Sequence, residues 1–452
     1  MGAGQSSRGE AVVGGRVAAG YESVREMFAA NLRAGREEEA QLCVYVGEEC
    51  VVDLWGSASG DISYTGDSLQ CVFSSSKAVT AVAVAQLVER HHLSYTARVA
   101  DYWPEFAAHG KAGLLVADLL RHEAGIPHLT RPLDYTQLAP ARLPGGAVAN
   151  ILAAAVPQFP VSTKREYHNL TAGWALGELC LRVSPGRETL GAWLEREVAT
   201  PLAADVFLPV PERQQHRVRD LTALTRNTAI LHSFIPNALG SKVEYNFLVF
   251  SKILQSFEKR FLAKDPRGFV PDFPDWDPSS TDPSQFVMGF LNSDVWRGGE
   301  SPHGSVHASA RGLARVAAAM AGGGRLGGAR VLSPAGHAAL HSQPVVREDA
   351  SMGGCRTEFT QGGVNMFNDY ADDKIGERIL KSGRDGFVGW LGFGGSVCQW
   401  HPGLRLGFGY ACTLVTWWDL ANTKVNFFHW ISQGHSQFCH SIVKTMLYND
   451  PV

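Results

Sequence analysis

The 452-residue sequence lacks the features that mark membrane-spanning, secreted and nucleic-acid-binding proteins. It contains no stretch of roughly 18 apolar residues, so no segment is predicted to span a membrane. The first 30 residues carry charged side chains and no apolar segment of a secretion signal. The net charge of −3 supplies no basic surface, so we expect no nucleic-acid partner. Together these absences favour a cytoplasmic protein.

Several chemical signatures are missing as well. The eight cysteines show no CxxC spacing, which is typical of reduced, buried thiols in an intracellular protein. No Gly-x-Ser-x-Gly sequence occurs, which argues against an α/β-hydrolase. His303 and His307 have the spacing of metal ligands, but no glutamate or third ligand completes a site. Gly322–Gly327 fits GxGxxG, the pattern of dinucleotide-binding loops. Because it follows a helical pattern instead of a strand, it indicates a helix end and a turn. We therefore expect no metal and no cofactor.

The composition is that of a globular protein. Hydrophobic residues make up 45% of the chain and charged residues 19%, which excludes general disorder. A chain of this length can bury a large core in one large or two interleaved domains.

The most informative stretch is Phe73–Lys77, followed by the apolar run Ala78–Val88. That run predicts a buried helix. Ser74 and Lys77 are three residues apart, so on a helix they share one face within hydrogen-bonding reach. A lysine whose pKa is lowered by burial can take the serine proton. The alternative is a serine helix cap followed by a solvated lysine, and Ser-x-x-Lys also occurs at Ser256 and Ser441.

Two further motifs could carry chemistry. Tyr167-His168-Asn169 is the only Tyr-x-Asn in the chain, and a tyrosine beside a cationic lysine can have its phenol pKa lowered and act as acid or base. Asn169 could equally cap the helix predicted over Asn169–Leu181. The glycine-dense run Gly386–Ser396 would let a substrate carbonyl approach backbone N–H groups, as an oxyanion hole requires. Its alternative is a bulged edge strand with a packed tryptophan.

The remaining patterns predict the order of elements. Leu42–Val46 with Val51–Trp55, and Val397–Trp400 with Leu404–Thr413, indicate hairpins near the two ends of the chain, and hence one sheet built from both ends. Residues 130–160 and 344–385 are predicted to be loops. The segment 240–300 is predicted to be a lid or an insertion, and Phe427–Leu447 to be helical.

The N-terminus permits two interpretations. Met1–Ser6 matches the myristoylation pattern, with Gly2 as the acceptor and serine four residues further on. Residues 1–20 are predicted to form a flexible tail, and the alternative to acylation is that this tail is merely small and polar. Acylation of Gly2 would give weak association with the cytoplasmic face of a membrane.

The order of these motifs resembles that of the serine β-lactamase-like family, which includes class C β-lactamases, D-Ala-D-Ala carboxypeptidases and family VIII carboxylesterases. The resemblance depends on Ser74–Lys77, Leu119–Pro127, Tyr167–Asn169, Ser309–Arg315 and Gly394–Ser396. It implies an α+β fold, in which an antiparallel β-sheet flanked by helices carries an inserted all-helical domain. The hydrolase domain would cover residues 21–447, with the helical part at roughly 78–330.

The resemblance also implies roles for individual residues. Ser74 would be the nucleophile, Lys77 with Tyr167 would accept its proton, and Tyr167 would pass the proton to the leaving group. Asn169 would orient Lys77 and the substrate. Backbone N–H groups of Ser74 and Phe393 would form the oxyanion hole.

The third motif favours one subfamily. Where β-lactamases and carboxypeptidases carry Lys- or His-x-Gly, this chain has Trp390-Leu391-Gly392, as in the family VIII esterases. An indole carries no charge to bind a substrate carboxylate. The expected function is therefore cleavage of a small-molecule carboxyl ester through an acyl-enzyme. The alternatives are a peptidase or β-lactamase, and a catalytically silent relative that binds a ligand or acts as a scaffold.

Overall fold

A nine-stranded antiparallel sheet dominates the computed structural model, which describes residues 10–129, 133–223, 283–352, 354–381 and 383–415. The strands across the sheet run in the order β1-β3-β2-β15-β14-β13-β12-β11-β10. In chain order the strands of the described residues are β1 (Val12–Val17), β2 (Glu39–Val46), β3 (Glu49–Ser57), β4 (Gln70–Cys71), β5 (Val206–Phe207), β6 (Thr222–Ala223), β7 (His307–Ala308), β8 (Arg325–Leu326), β9 (Ala329–Arg330), β10 (Val345–Asp349), β11 (Cys355–Phe359), β12 (Asn365–Met366), β13 (Val388–Leu391), β14 (Val397–His401), β15 (Leu406–Cys412) and β16 (Leu414–Val415).

Strands from the N-terminal and C-terminal parts of the chain meet inside this sheet. β2 pairs with β15 along its whole length, with Leu42 opposite Tyr410. The predicted hairpins are β2–β3 and β14–β15. The prediction of one antiparallel sheet built from both ends, in an α+β fold, is therefore confirmed.

Helices cover both faces of the sheet. Alternate side chains of β2 enter different cores: Cys43 and Tyr45 join one, and Leu42 and Val44 join the other, as the two-residue period of a strand requires. The helices are α1 (Glu22–Arg33), α2 (Ser76–Glu89), α3 (Val99–Tyr102), α4 (Val116–Leu120), α5 (Ala147–Ala154), α6 (Thr171–Val183), α7 (Leu190–Leu194, continued by a π-helical turn Glu195–Ala199), α8 (Pro283–Leu291), α9 (Asp294–Arg297), α10 (Ala310–Ala321), α11 (Pro334–His341) and α12 (Ile375–Lys381).

Two of these helices hold the site in place. Every residue of α2 from Ser76 to Leu87 is buried, which confirms the buried helix predicted over Ala78–Val88. Helix α10 packs against β2, β14 and β15, so it couples the larger core to the centre of the sheet. It ends at Gly322 and is followed by the β8–β9 hairpin, which is the helix end and turn predicted there.

The prediction of long loops over residues 344–385 is wrong. This segment supplies β10, β11 and β12, which complete one edge of the sheet, and helix α12. The strands are only two to five residues long. Charged residues such as Arg347 and Glu348 stand in the outermost strand, as is usual at a sheet edge. Such strands carry no sustained apolar alternation, so the pattern did not indicate them.

Two other boundaries need correction. Residues 130–160 were predicted to form a surface loop, but Ala147–Ala154 forms α5, whose Leu152 is fully buried. The alanines that suggested a loop are strong helix formers. Residues 1–20 were predicted to form a flexible tail, but Val12–Val17 pairs with β3 at the other edge of the sheet.

Some predictions lie outside the described residues. Residues 240–282 of the predicted lid or insertion and the predicted helix Phe427–Leu447 belong to this group, as does Gly2. Residues 283–300 contain α8 and α9. Within the described ranges, no helix combines the length and the apolar character needed to cross a bilayer.

Candidate active site

Ser74 lies on a short 3₁₀ turn, Phe73–Ser75, immediately before α2. Phe73 has a φ of 45°, a left-handed conformation that is unfavourable for a bulky side chain. Val72 caps the turn and Ser75 precedes α2, and neither makes a side-chain capping hydrogen bond. The alternative interpretation of Ser74 as a helix cap is therefore wrong. Its side chain is half-buried and available for chemistry.

The Lys77 side chain reaches Ser74 from the first turn of α2. Its Nζ lies 3.2 Å from Ser74 Oγ and donates to the carbonyl oxygens of Asn169 at 3.0 Å and His303 at 2.9 Å. Lys77 is only 2% exposed, and burial holds its pKa well below the ordinary value of 10.5.

Three N–H donors of a charged amine would fit these three oxygens, but burial favours the uncharged form of Lys77. A neutral lysine has two N–H donors and one lone pair. The two backbone carbonyls accept both N–H groups. The lone pair is then left for the third contact, so Ser74 can donate its hydroxyl proton to Lys77.

Tyr167 completes the arrangement, with its hydroxyl oxygen 2.5 Å from Ser74 Oγ. The ring lies 4.6 Å from Lys77 Nζ. Burial raises the pKa of the Tyr167 phenol far above its ordinary value, and the hydrogen bond to Ser74 only partly opposes this. The expectation of a lowered phenol pKa is therefore wrong, because it assumed a cationic lysine, whereas burial favours neutral Lys77.

Asn169 contributes to the site differently from the expectation. Its backbone carbonyl, not its side-chain amide, contacts Lys77. Helix α6 begins at Thr171 with Leu170 as its cap, so Asn169 is not the helix cap. The half-buried Asn169 side chain lies two residues from Tyr167 in sequence, on the same segment.

Gly392 lets the end of β13 lie directly against the 3₁₀ turn Phe73–Ser75, which we call the nucleophile turn because Ser74 is the expected nucleophile. A Cβ at this position would collide with Ser396 Oγ and the Val72 carbonyl oxygen and would lie 3.2 Å from the Ser75 nitrogen. Ser396 also donates to the Val72 carbonyl at 2.6 Å and lies 3.1 Å from Ser75 Oγ. The glycine-dense run therefore brings backbone next to Ser74, as an oxyanion hole requires.

Aromatic rings line the same region. Trp390 is 6% exposed, stacks on Phe359 with ring centres 5.1 Å apart, and lies 5.5 Å from Lys77 Nζ. Its indole N–H donates to the Gly363 carbonyl at 2.9 Å, so that donor is used within the protein. The Phe393 ring meets Phe73 edge-on at 5.6 Å.

Some residues at the site were not identified from the sequence. His303 supplies the carbonyl that accepts from Lys77, although it was considered only as a metal ligand with His307. His122 packs against Tyr167 and Trp390. Asp349 accepts the backbone N–H of Tyr167. Backbone contacts of this kind leave no motif in a sequence. In the described ranges, no group of three or more His, Cys, Asp or Glu residues could hold a metal ion.

A broad antiparallel sheet flanked by helices, with the Ser-x-x-Lys turn packed against β13, defines a β-lactamase/transpeptidase-like protein. The chain belongs to the Beta-lactamase family, whose model matches residues 24–424.

Individual relatives agree with this placement. The Esterase/beta-lactamase LipL of Mycobacterium tuberculosis (strain ATCC 25618 / H37Rv) is 29% identical over 317 residues, which cover 69% of this chain and 65% of the relative, slightly less than two thirds of its length. A family VIII carboxylesterase structure superposes with a TM-score of 0.69 at 26% identity, covering 92% of this chain and all of that one.

A penicillin-binding protein homologue from Caulobacter crescentus matches with a TM-score of 0.67 at 24% identity, over 93% of this chain and 100% of the other. EstA from Arthrobacter nitroguajacolicus Rue61a gives 0.64 at 24% identity, over 91% and 97%. At this level of identity the likeness shows the fold alone.

Proposed function

We propose that the protein is a serine hydrolase that cleaves carboxyl esters through an acyl-enzyme on Ser74. The observation that carries this proposal is the set of three contacts at Lys77 Nζ. Two carbonyls use its N–H donors, and Ser74 Oγ stands 3.2 Å away at the remaining position. A buried lysine whose pKa is held well below 10.5 beside a serine hydroxyl can act as its general base.

In the acylation step, Ser74 Oγ attacks the ester carbonyl carbon while Lys77 accepts the hydroxyl proton. Backbone N–H groups of Ser74 and Phe393 stabilise the oxyanion, consistent with the close approach of β13 at Gly392. Once Lys77 is cationic, its charge lowers the pKa of the nearby Tyr167 phenol. Tyr167 then protonates the leaving alcohol and recovers a proton from Lys77, so the proton of Ser74 ends on the alcohol.

Deacylation repeats these steps with water in place of the alcohol. Tyr167 and Lys77 remove a proton from the water as it attacks the acyl carbon, and the proton returns to Ser74 Oγ when the acid product leaves. Tyr167 is suited to both steps, because its hydroxyl oxygen lies 2.5 Å from the oxygen that is acylated and released.

The aromatic surroundings favour an uncharged ester. Phe73 and Phe393 are partly buried against the core near the nucleophile turn, and Trp390 stands where a cation would bind a substrate carboxylate. We include Asn169, Trp390, Gly392 and Phe393 among the substrate-binding residues. The family VIII carboxylesterase at 26% identity supports the same substrate class.

The test is a panel of p-nitrophenyl esters of rising chain length, assayed beside the β-lactam nitrocefin. We expect ester turnover that exceeds nitrocefin turnover and disappears in Ser74→Ala. A fluorophosphonate probe should label the wild type and leave Ser74→Ala unlabelled. Ester turnover that survives in Ser74→Ala would refute the nucleophile, and nitrocefin turnover above ester turnover would favour a β-lactamase. A folded wild type that neither turns over esters nor takes the label would be the silent relative.

We also propose that Gly2 is myristoylated in a eukaryotic cell, on the pattern Met1–Ser6. One fourteen-carbon chain gives a membrane affinity on the order of 10⁴ M⁻¹, so the association would be weak and reversible. Intact-mass spectrometry of the protein made in such a cell tests this. An N-terminus without the acyl mass would contradict it.

A further inference from the structure

Asp349 connects the edge of the sheet to the Tyr167 segment. It is the last residue of β10 and is only 1% exposed. Its Oδ1 accepts the backbone N–H of Tyr167 at 3.1 Å, the backbone N–H of Ser351 at 2.9 Å and the Ser351 hydroxyl at 2.6 Å. One carboxylate oxygen therefore receives three donors, and one of them belongs to the residue that contacts Ser74.

Backbone hydrogen bonds also join the end of β10 to the segment that precedes Tyr167. Arg165 forms a parallel β-bridge with Asp349, and the Ala350 N–H donates to the Arg165 carbonyl at 3.1 Å. The Arg165 guanidinium, fully buried, donates to the Thr357 carbonyl of β11 at 2.6 Å. The sheet edge thus fixes the chain on the N-terminal side of Tyr167, and Asp349 fixes Tyr167 itself.

We infer that Asp349 is a positioning residue for the proposed hydrolysis, which holds Tyr167 so that its hydroxyl lies on Ser74. This inference rests on the proposed function. Tyr167 belongs to neither a helix nor a strand, so no regular ladder of hydrogen bonds fixes its backbone. Its N–H is held by Asp349 and by the Ser351 hydroxyl, at 3.1 and 3.0 Å.

The second carboxylate oxygen supports a role beyond stability. Asp349 Oδ2 is buried and has no hydrogen-bond partner among the described residues. Burying a charged group with one oxygen unsatisfied is unfavourable for folding. A buried polar atom without a partner calls for an explanation, and the place of Asp349 beside the proposed acid–base residue supplies one.

The experiment is a double-mutant cycle between Asp349→Ala and Tyr167→Phe. The readouts are the rate of fluorophosphonate labelling and kcat for a p-nitrophenyl ester, both normalised to folded protein. Because a small misplacement can cost about 100-fold, we expect Asp349→Ala to lower both by roughly 10- to 100-fold in the wild-type background. In the Tyr167→Phe background, where no hydroxyl remains to be positioned, the further loss should be less than about threefold. Asp349→Asn keeps an acceptor for the Tyr167 N–H and should recover most of the rate.

A matched control is Asp373→Ala. Asp373 is also a buried aspartate, paired with Lys381 and Arg356, but it has no contact with Tyr167. The Asp373→Ala substitution should lower the melting temperature and leave the labelling rate of the folded protein unchanged. If Asp349→Ala does not fold, Asp349→Ser replaces it in the cycle, because serine removes the carboxylate and leaves a polar hydroxyl in the buried position.

Equal losses from Asp349→Ala in both backgrounds, or no loss in either, would overturn the inference. The proposed function is judged separately by Ser74→Ala. If labelling and ester turnover depend on Ser74 but the cycle shows no coupling, only the role of Asp349 is refuted. If they do not depend on Ser74, the proposed function fails and the inference fails with it.

Discussion

Burial acts in opposite directions on the pKa values of the two groups beside Ser74. It lowers the pKa of Lys77 and raises that of Tyr167, because in both cases the charged form is disfavoured. Burial therefore favours the neutral form of both side chains. A neutral amine can only accept a proton, and a neutral phenol next to Ser74 can donate one. In the proposed mechanism, these environments suit Lys77 to act as the base and Tyr167 as the acid.

This assignment predicts the acid side of the pH profile. Protonation removes the lone pair of Lys77, so ester hydrolysis should fall as the pH falls through the lowered pKa of this lysine. As the pH rises through that pKa, kcat/KM should rise and then level off well below 10.5, the value for an ordinary lysine. The measurement is kcat/KM for a p-nitrophenyl ester as a function of pH.

Tyr167→Phe provides the control for this profile. The phenol pKa lies far above neutral, so residual activity in this variant should keep an acid limb, with a midpoint still well below 10.5. An acid limb that vanishes in Tyr167→Phe would show that Lys77 is not the base.

Ser74 and Lys77 should also behave as one unit in mutagenesis. Ser74→Ala should abolish ester hydrolysis, at a stability cost of only about 1 kcal/mol for its hydrogen bonds. Lys77→Ala should lower kcat nearly as far, and the double variant should be no worse than either single one. The matched controls are Ser256→Ala and Ser441→Ala, which alter the other two Ser-x-x-Lys sequences. If either control abolished the activity, the nucleophile would be assigned to the wrong serine.

For single residues, the side chains of the candidate site were easier to predict from the sequence than its backbone contacts. Ser74, Lys77 and Tyr167 could be proposed because a serine, a lysine and a tyrosine have recognisable chemistry at recognisable spacings. The carbonyls of Asn169 and His303, which orient Lys77, could not be, because every residue has a carbonyl. Asp349 stood in a segment predicted to be a loop, so nothing connected it to Tyr167.

At the level of helices and strands, the end of β13 packs directly against the nucleophile turn. Gly392 permits their contact, since any side chain there would meet Ser396 and the Val72–Ser75 backbone. Gly392→Ala should therefore push β13 away from Ser74 and lower kcat by roughly 100-fold, as displacements of about 1 Å can. Ester kinetics together with the melting temperature would measure this.

Gly113→Ala is the matched control for Gly392→Ala. A Cβ at Gly113 would meet nothing within 4 Å, so activity and stability should be unchanged. Full activity in Gly392→Ala would mean that the contact between β13 and the turn is not needed for catalysis.

Whether an element could be predicted depended on its burial and length. Helix α2 is buried on every side and produced a continuous apolar run. The hairpins β2–β3 and β14–β15 lie at the centre of the sheet and carry long apolar strands. The edge strands β10, β11 and β12 are short and partly charged, and they are strands because neighbouring strands pair with them. That pairing is a tertiary effect, which a local pattern does not contain.

The whole molecule assembles the site from distant parts of the chain. Ser74 and Lys77 follow the N-terminal strands, and Tyr167 lies among the helices. Asp349 ends β10, and Gly392 directly follows β13. Because β2 pairs with β15, the sheet is complete only when both of these strands, far apart in the chain, are in place. The site should therefore exist only when the sheet does.

Unfolding measurements can test this dependence with Gly409→Ala. Gly409 lies in β15, where an added Cβ would be 2.6 Å from the Ala314 nitrogen of α10 and would also meet the Ala310 carbonyl. Overpacking of this kind costs about 1–3 kcal/mol. In urea, tryptophan fluorescence and fluorophosphonate labelling should be lost at the same midpoint in the wild type, and both midpoints should fall together in Gly409→Ala.

Gly328→Ala, in the β8–β9 turn where a Cβ meets nothing within 4 Å, should leave both midpoints unchanged. Labelling that is lost at a lower urea concentration than fluorescence would show that the site region unfolds separately from the sheet.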